Sequence, residues 1–168
     1  MTLETCAEKD QVFADPNQLR QVFLNLIINA ADAIAGMEGS TDGTLVIRSE
    51  IQNRSGPLKD QSRDFIKLMF IDNGPGISKD HLDNIFDPFF TTKAPGKGTG
   101  LGLSVCFMIV ENIGGRILAA SRKDEGTTMT IFLPLVDEEQ DPRIQGLPAS
   151  GGAIGDQGSE DSSETIGN

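Results

Sequence analysis

The sequence predicts an α+β fold, a two-layer sandwich in which helices pack on one face of a mixed, mostly antiparallel sheet. Two observations lead to this prediction. An N-terminal segment repeats apolar residues at helical spacing, and four later segments are rich in β-branched and apolar residues. Those four segments come in two pairs, with helical segments before and between them. Helices that alternate with paired strands favour one sheet carrying a helical layer.

The first predicted helix begins in the sequence DPNQ. Asp15 is suited to cap it, Pro16 is suited to the first helical position, and Gly36 marks its end. Between them the apolar residues recur three and four positions apart: Leu19, Val22, Phe23, Leu26, Ile27, Ala30 and Ile34.

The remaining elements follow from composition and from the turns that separate them. We expect a short helix near residues 79–85, and a longer one over about 100–112 that begins in a glycine-rich run. The strands are predicted at residues 44–52, 64–72, 116–122 and 128–133.

The charge of the chain is unevenly distributed along its 168 residues. The formal charge is −11, of which residues 137–168 carry −7 (eight acids and one base) and residues 1–136 carry −4. The segment 137–168 consists largely of Gly, Ser, Asp, Glu and Pro without periodicity, which is typical of disorder. We therefore predict an ordered domain over 1–136 and an acidic disordered tail over 137–168.

Composition also excludes several classes of partner. No basic patch interleaved with aromatic residues is present, so nucleic acid is not an expected partner. No stretch approaches the apolar length of a membrane span, so we expect no membrane contact by this domain. Cys6 and Cys106 lack metal-ligand spacing and are expected to be reduced thiols of a cytoplasmic protein.

The first helix carries a polar face as regular as its apolar face. Its members are three and four residues apart: Gln18, Gln21, Asn25, Asn29 and Asp32. A solvated face is the simpler interpretation. However, such faces usually carry Lys and Glu, whereas amide oxygens are neutral hard donors suited to Mg²⁺.

The segment FIDNGPGIS, residues 70–78, ends an apolar strand in Asp72 and then turns through glycines. An ordinary tight turn is one interpretation. The other is functional, because a carboxylate at the end of a buried strand is placed to accept from an exocyclic amine. The glycines would let the backbone lie against a flat ring.

The segment IFDPFFTTK, residues 85–93, places three phenylalanines within five residues. A small plug of the core is one interpretation, and a hinge or docking surface for a partner is the other.

The run GKGTGLGLS, residues 96–104, carries Gly98, Gly100 and Gly102 directly before an apolar helix. It does not match a P-loop, because Thr91 stands where the first glycine is required, and its even spacing does not match a dinucleotide fingerprint. Glycines at a helix entrance expose N–H groups at the positive end of the helix dipole. The run therefore predicts a phosphate site, preceded by a short mobile lid at 94–97.

Four motifs together carry a family resemblance. NLIINA (25–30), DNGPGI (72–77), FDPFFTTK (86–93) and GTGLGLS (98–104) resemble the N, G1, F and G2 boxes of the ATP-binding catalytic domain of two-component sensor histidine kinases. That domain belongs to the GHKL superfamily and has the Bergerat fold. The similarity covers residues 10–135, and the F-box wording is similar to the nitrogen-regulator-like subgroup.

The resemblance implies ATP and Mg²⁺ as ligands and assigns roles to individual residues. Asn29 is expected to bind Mg²⁺, with Asn25 near the phosphates as its catalytic neighbour. Asp72 is expected to accept from the adenine amino group, and Thr127 or Thr128 is expected to help hold adenine; we select Thr128. The remaining expected ATP contacts are Gly74, Gly76, Ile77, Lys93, Lys97, Gly98, Thr99, Gly100, Leu101 and Gly102.

Position 25 bears on the reaction that the resemblance implies. Gyrase, Hsp90 and MutL resemble this fold but place a glutamate, the general base for hydrolysis, four residues before the Mg²⁺ asparagine. Here that residue is Asn25, which cannot act as a base. Phosphoryl transfer to a nucleophile brought by another domain is therefore favoured over hydrolysis.

The implied bacterial kinase phosphorylates a histidine on a dimerising helical hairpin, for relay to a response regulator receiver domain. That hairpin is not in this sequence, and the lone His81 is not where the family places its acceptor. We expect an isolated catalytic domain, either a fragment of a kinase that can be membrane-anchored or a product acting in trans. A non-catalytic nucleotide-binding or docking module, and a GHKL serine kinase, remain the alternatives.

Overall fold

A computed structural model of the chain describes residues 2–5, 11–37, 42–52, 64–93, 96 and 98–136, with no side-chain detail for 2–5. The chain divides into two units, Met1–Asp137 and Glu138–Asn168, and all of the described residues lie in the first. The predicted tail therefore lies outside the described residues, and so does most of the predicted lid at 94–97. The elements are β1 (Thr2–Thr5), α1 (Pro16–Ala35), β2 (Leu45–Gln52), β3 (Phe65–Asp72), α2 (Lys79–Leu82), α3 (Gly102–Asn112), β4 (Arg116–Arg122) and β5 (Gly126–Pro134).

Helix α1 begins and ends where its sequence signals predict. The Asp15 side chain accepts a hydrogen bond of 2.7 Å from the Asn17 N–H, which satisfies one donor that the first helical turn leaves free. At the other end, the Gly36 N–H donates to the Asp32 carbonyl. The apolar face of α1 buries Val22, Leu26 and Ala30.

The five strands form one sheet in the order β1-β2-β3-β5-β4. Strand β1 pairs with β2 in parallel, and every other neighbouring pair is antiparallel. The predicted mixed, mostly antiparallel sheet is confirmed. Strand β1 was not predicted, because TLET has only four residues and one of them is apolar.

The core lies between one face of the sheet and helices α1 and α3. Alternate residues of a strand point to the same face, and directly paired residues share that face. On β3 this face carries Ile66 and Phe70, and the next residue with the same orientation is Asp72. Asp72 therefore belongs to the core face but stands at its edge, where the strand ends.

Helices α1 and α3 cover this face of the sheet. The Phe23 ring of α1 lies 5.9 Å from the Phe70 ring between centroids. Cys106 of α3 is a free, fully buried thiol whose sulfur contacts the Val22 carbonyl oxygen of α1 at 3.8 Å. Burial raises the pKa of Cys106 to about 11, opposed by a hydrogen bond from the Asn25 side chain. Cys106 is thus a protonated core residue under ordinary conditions.

Two helix boundaries differ from the predicted ones for local reasons. Helix α3 begins at Gly102 rather than near Gly100, because the φ of Gly100 is +67°, which no right-handed helix contains. Helix α2 ends at Leu82, and a turn from His81 to Asn84 leads the chain to the buried Ile85. Among the described residues, no helix is long and apolar enough to cross a membrane.

Candidate functional site

A cavity of about 860 Å³ opens between α1, the end of β3, the 85–93 segment and the glycine run. This volume is within the range of pockets that hold cofactors and other small molecules. Gly74, Leu101 and Thr128 do not line it, and Lys97 lies outside the described residues. The predicted residues that do line it are Asn25, Asn29, Asp72, Gly76, Ile77, Lys93, Gly98, Thr99, Gly100 and Gly102.

Asp72 presents a buried carboxylate to this cavity, with 8% of its surface exposed. One of its oxygens accepts from the Gly74 N–H at 2.9 Å, and the backbone of Thr127 provides a further hydrogen bond. Burial raises the pKa of Asp72, and the two backbone hydrogen bonds oppose that rise. The carboxylate is therefore oriented by backbone groups on one side and is available as an acceptor on the cavity side.

The turn after β3 is held against the β4–β5 hairpin. Gly76 has a φ of +68°, and a Cβ atom there would lie 1.9 Å from the Arg122 carbonyl oxygen. The Asp124 N–H donates to the Pro75 carbonyl at 2.7 Å. Only glycine fits at position 76, and the backbone at Gly76 thereby forms part of the cavity wall.

Ser121, which the sequence did not single out, does not line the cavity but contacts two residues that do, Ile77 and Thr127. Its hydroxyl oxygen accepts from the Ile77 N–H at 2.8 Å and lies 2.7 Å from the Gly126 carbonyl and 2.9 Å from the Thr127 hydroxyl. Ser121 is the register partner of Thr127, so correct pairing of β4 with β5 was the signal that could have found it. Through these contacts Ser121 joins the turn to the strand that carries Thr127.

The structure distinguishes the two threonines between which the motif left a choice. Thr127 lines the cavity and is paired with Asp72 across β3 and β5. Thr128 is the next residue along the strand and therefore points to the opposite face of the sheet. The structure brings Thr127 to the cavity and does not bring Thr128 there.

The polar face of α1 divides into two parts. Gln18 and Gln21, at the start of the helix, are exposed and do not line the cavity, as expected for a solvated face. Asn25, Asn29 and Asp32 line it.

The three cavity-facing polar residues of α1 are held by groups distant in sequence. The Asn25 side-chain nitrogen donates to the Gly102 carbonyl at 3.3 Å. The Asn29 side-chain oxygen accepts from the Lys93 ammonium at 3.4 Å, and the same ammonium lies 2.5 Å from a carboxylate oxygen of Asp32. A cation is thus already held beside the oxygen of Asn29.

The glycine run packs closely against the 85–93 segment. A Cβ atom on Gly100 would lie 2.4 Å from the Phe89 carbonyl carbon, and the Phe89 N–H donates to the Gly100 carbonyl at 2.9 Å. Gly102 is different, because a Cβ atom there would meet only Asn25 and Asn29, at 3.9 and 4.0 Å. Leu101 gives α3 no side-chain cap, so the first N–H groups of the helix are available to an anion.

The phenylalanines of the 85–93 segment divide between the core and the surface. Phe86 and Phe90 pack against the core, and the ring of Phe90 contacts His81 edge-on at 5.7 Å. Phe89 is 74% exposed and is held with a φ of 67°. The segment therefore plugs one end of the core and also presents an aromatic ring to solvent.

Comparison with known proteins assigns this arrangement to a family. The family model described as Histidine kinase-, DNA gyrase B-, and HSP90-like ATPase matches residues 14–137. The chain is 42% identical to the sensor histidine kinase ZraS of Escherichia coli (strain K12) over 133 residues, which are 79% of this chain and 25% of ZraS. It is 41% identical to the sensor kinase CckA of Brucella abortus (strain 2308) over 138 residues, 77% of this chain and 14% of CckA.

Solved structures give the same assignment. The catalytic domain of histidine kinase ThkA matches with a TM-score of 0.61 at 33% identity, covering 80% of this chain and 78% of that one. ThkA in complex with the response regulator protein TrrA matches with a TM-score of 0.58 at 28% identity, covering 83% and 35%. The chain spans a quarter or less of the two curated relatives named above. The chain therefore belongs to the histidine kinase-, DNA gyrase B- and HSP90-like ATPase family, and its relatives there are the ATP-binding catalytic domains of sensor histidine kinases.

Proposed function

We propose that this domain binds Mg²⁺-ATP and donates the γ-phosphate to a histidine on a separate dimerisation domain of a sensor kinase. The observation that carries the proposal is the placing of Asp72, Asn29 and the glycine run in one cavity of nucleotide-binding size. A carboxylate, a neutral hard donor and an uncapped helix N-terminus complement the three chemically different parts of such a ligand: base, metal and phosphates.

The base half of the site is built from β3, its turn and β5. Asp72 supplies the acceptor for an exocyclic amine, and the Gly76 backbone supplies a flat wall without a side chain. Ile77 adds an apolar contact, and Thr127 adds a hydroxyl beside Asp72. This acceptor favours adenine over guanine, because guanine has a carbonyl oxygen where adenine has its amino group.

The residues of the phosphate half fit a magnesium ion shared with a ligand. The described residues contain no group of three His, Cys, Asp or Glu side chains able to hold a metal ion alone. Mg²⁺ accepts one or two protein oxygens together with phosphate oxygens and waters, and Asn29 provides such an oxygen. When bound there, Mg²⁺ would neutralise phosphate charge. Gly98, Gly100 and Gly102 provide backbone without side chains next to the phosphates.

Transfer is favoured over hydrolysis by the residue at position 25. Asn25 carries a neutral amide, which is not basic enough to remove a proton from water. Its nitrogen donates to the Gly102 carbonyl. What the site does provide is positioning and charge neutralisation, which are the main requirements of phosphoryl transfer. The nucleophile must then come from another domain or protein.

The proposed partners are a histidine-bearing dimerisation domain and a response regulator receiver domain. ThkA, to which this chain is similar, is a histidine kinase solved in complex with a response regulator protein. The role requires a cytoplasmic location, since ATP is the substrate. Membership of the nitrogen-regulator-like subgroup stays a prediction from the F-box wording.

The test is phosphate transfer from ATP labelled at its γ-phosphate. The chain is mixed with labelled ATP, Mg²⁺ and the histidine-bearing dimerisation domain of a sensor kinase. Acid-labile, alkali-stable phosphate on that histidine is the expected product, and Asn29→Ala should abolish it. Phosphoserine on a partner would instead identify a serine kinase. ATP binding without transfer would identify a nucleotide-binding module.

A further inference from the structure

Lys93 makes an unusual set of contacts for a lysine in an exposed loop. Its ammonium nitrogen lies 2.5 Å from an Asp32 carboxylate oxygen and 3.4 Å from the Asn29 side-chain oxygen. Asn29 and Asp32 are three residues apart, hence neighbours on the same face of α1. The ammonium is therefore shared by a charged and a neutral oxygen of one helix, and the neutral one is the expected metal ligand.

The rest of the Lys93 side chain is also held. A Cβ atom on Gly98 would lie 3.2 Å from the Lys93 Cδ and 3.4 Å from its Cβ, so the Gly98 backbone lies close to the aliphatic stem. The Lys93 N–H donates to the Thr91 hydroxyl at 3.2 Å. The side chain is 35% exposed. Lys93 is thus fixed at its backbone, along its stem and at its tip.

An ammonium and a magnesium ion compete for the same oxygen. Mg²⁺ requires its ligands at about 2.0–2.1 Å in a nearly ideal octahedron, and a second cation on that oxygen would be repelled at short range. We propose that Lys93 is a built-in cation of this site, which occupies the position beside Asn29 until nucleotide-bound Mg²⁺ displaces it. This inference rests on the proposed function, because it concerns the same Mg²⁺-nucleotide.

The inference has a thermodynamic consequence that an ordinary phosphate contact lacks. If Lys93 and Mg²⁺ compete for Asn29, then Lys93 weakens the coupling between Mg²⁺ and nucleotide. The coupling is measured by the ratio of the nucleotide Kd without Mg²⁺ to the Kd with it. Removing Lys93 should raise this ratio, whether it acts by weakening metal-free binding or by strengthening metal-bound binding.

The experiment is calorimetric titration with the non-hydrolysable analogue adenylyl imidodiphosphate, in excess Mg²⁺ and again in EDTA. For Lys93→Met the Kd ratio should exceed the wild-type ratio by about fivefold or more, a typical coupling between two ligands. Lys93→Arg, which keeps the positive charge, should stay closer to wild type. Lys67→Met is the matched control, because Lys67 forms a 2.7 Å ion pair with Glu50 between strands β2 and β3 and does not line the cavity.

The outcomes separate this inference from the proposed function. If Lys93→Met weakens binding equally with and without Mg²⁺, Lys93 is only a phosphate partner and the inference is wrong, while the proposed function stands. A ratio that rises equally in Lys67→Met would also overturn it, because the effect would then be one of net charge. If folded wild type binds no analogue in either condition, the proposed function itself fails.

Discussion

At the scale of single residues, Asp72 shows how the site and the stability of the fold conflict. Its side chain continues the core face of β3 and is buried, yet it is a carboxylic acid. Burial disfavours its charged form, which is the form that accepts most strongly from an amine. We infer that the domain keeps this acid for its ligand rather than for its own stability.

The pH dependence of stability follows from the direction of that shift. Because the pKa of Asp72 is raised in the folded state, the folded chain holds the proton more tightly than the unfolded chain. The protonated Asp72 therefore stabilises the folded state fully at pH values below the ordinary aspartate pKa. This stabilisation is lost as the pH rises through the raised pKa of the folded state. Asp72→Asn should be more stable than wild type at pH 7, and the difference should vanish in acid. Denaturant unfolding of both proteins at several pH values measures this, and a difference that grows in acid would contradict it.

Ser121 is expected to act on binding through its neighbours. Ser121→Ala removes the partner of the Ile77 N–H and of the Thr127 hydroxyl, which should cost about 1–3 kcal/mol of stability. ATP binding should weaken as well, since both neighbours line the cavity. Chemical denaturation and ATP titration check the two effects. Ser78→Ala is the control, because the Ser78 side chain makes no capping hydrogen bond on α2; equal losses in both variants would refute the role of Ser121.

At the scale of elements, the glycine run and α3 combine two different requirements for glycine. Gly100 is required by the fold, because its φ is positive and the 85–93 segment lies against it. Gly102 is the first residue of α3, and its missing side chain leaves space toward Asn25 and Asn29. The same residue type therefore serves packing at one position and ligand space at the other.

Two alanine substitutions should separate these requirements. Gly102→Ala should leave stability unchanged or raise it by up to about 1 kcal/mol, because alanine is the better helix residue, while ATP binding falls about tenfold or more. Gly100→Ala should lose roughly 2 kcal/mol or more, from left-handed backbone strain and from the clash with Phe89. Thermal unfolding and ATP titration distinguish them. Equal destabilisation by the two substitutions would show that the space at Gly102 is not reserved for a ligand.

The local sequence pattern was sufficient to predict most of the helices and strands. Helix α1 and strands β2 to β5 follow from apolar periodicity, caps and turns, since each signal lies within the element itself. Strand β1 could not be predicted, because it depends on pairing with β2 some 40 residues away in the chain.

For the candidate site, the sequence motifs singled out Asp72 and Asn29, and the structure brings both to the cavity. The choice of Thr127 over Thr128, the contacts of Ser121 and the ion pair between Lys93 and Asp32 depend on strand register and tertiary packing.

At the scale of the whole chain, backbone hydrogen bonds tie the last described residues of the domain to residues much earlier in the sequence. The Val136 N–H donates to the Gln11 carbonyl, and the Leu135 N–H donates to the Asp64 carbonyl, both at 2.9 Å. These contacts anchor the C-terminal end of the domain next to β3 and the segment before α1. The excess negative charge lies beyond that point in the sequence.

Removal of residues 137–168 should therefore leave the domain intact. Truncation after Val136 retains both backbone contacts and changes the formal charge from −11 to −4. We expect the free energy of unfolding to change by less than about 0.5 kcal/mol, because the truncation removes none of the contacts described for the domain. The ATP affinity should stay within about twofold of the full chain at physiological salt, because salt screens the effect of the changed net charge. A large loss of either quantity would place the tail within the functional domain.

The most direct test of the central claim is calorimetric titration of ATP on the wild type and on Asp72→Asn, with and without Mg²⁺. We predict that wild type binds, that Mg²⁺ changes the affinity, and that the variant loses binding. An amide that keeps its oxygen on the Gly74 N–H would turn its NH2 donor toward the adenine amine, which needs an acceptor. Asp83→Asn, at an exposed acid that does not line the cavity, should bind as wild type does. Unchanged binding by Asp72→Asn, or no binding by folded wild type, would contradict the assignment of this cavity as the ATP site.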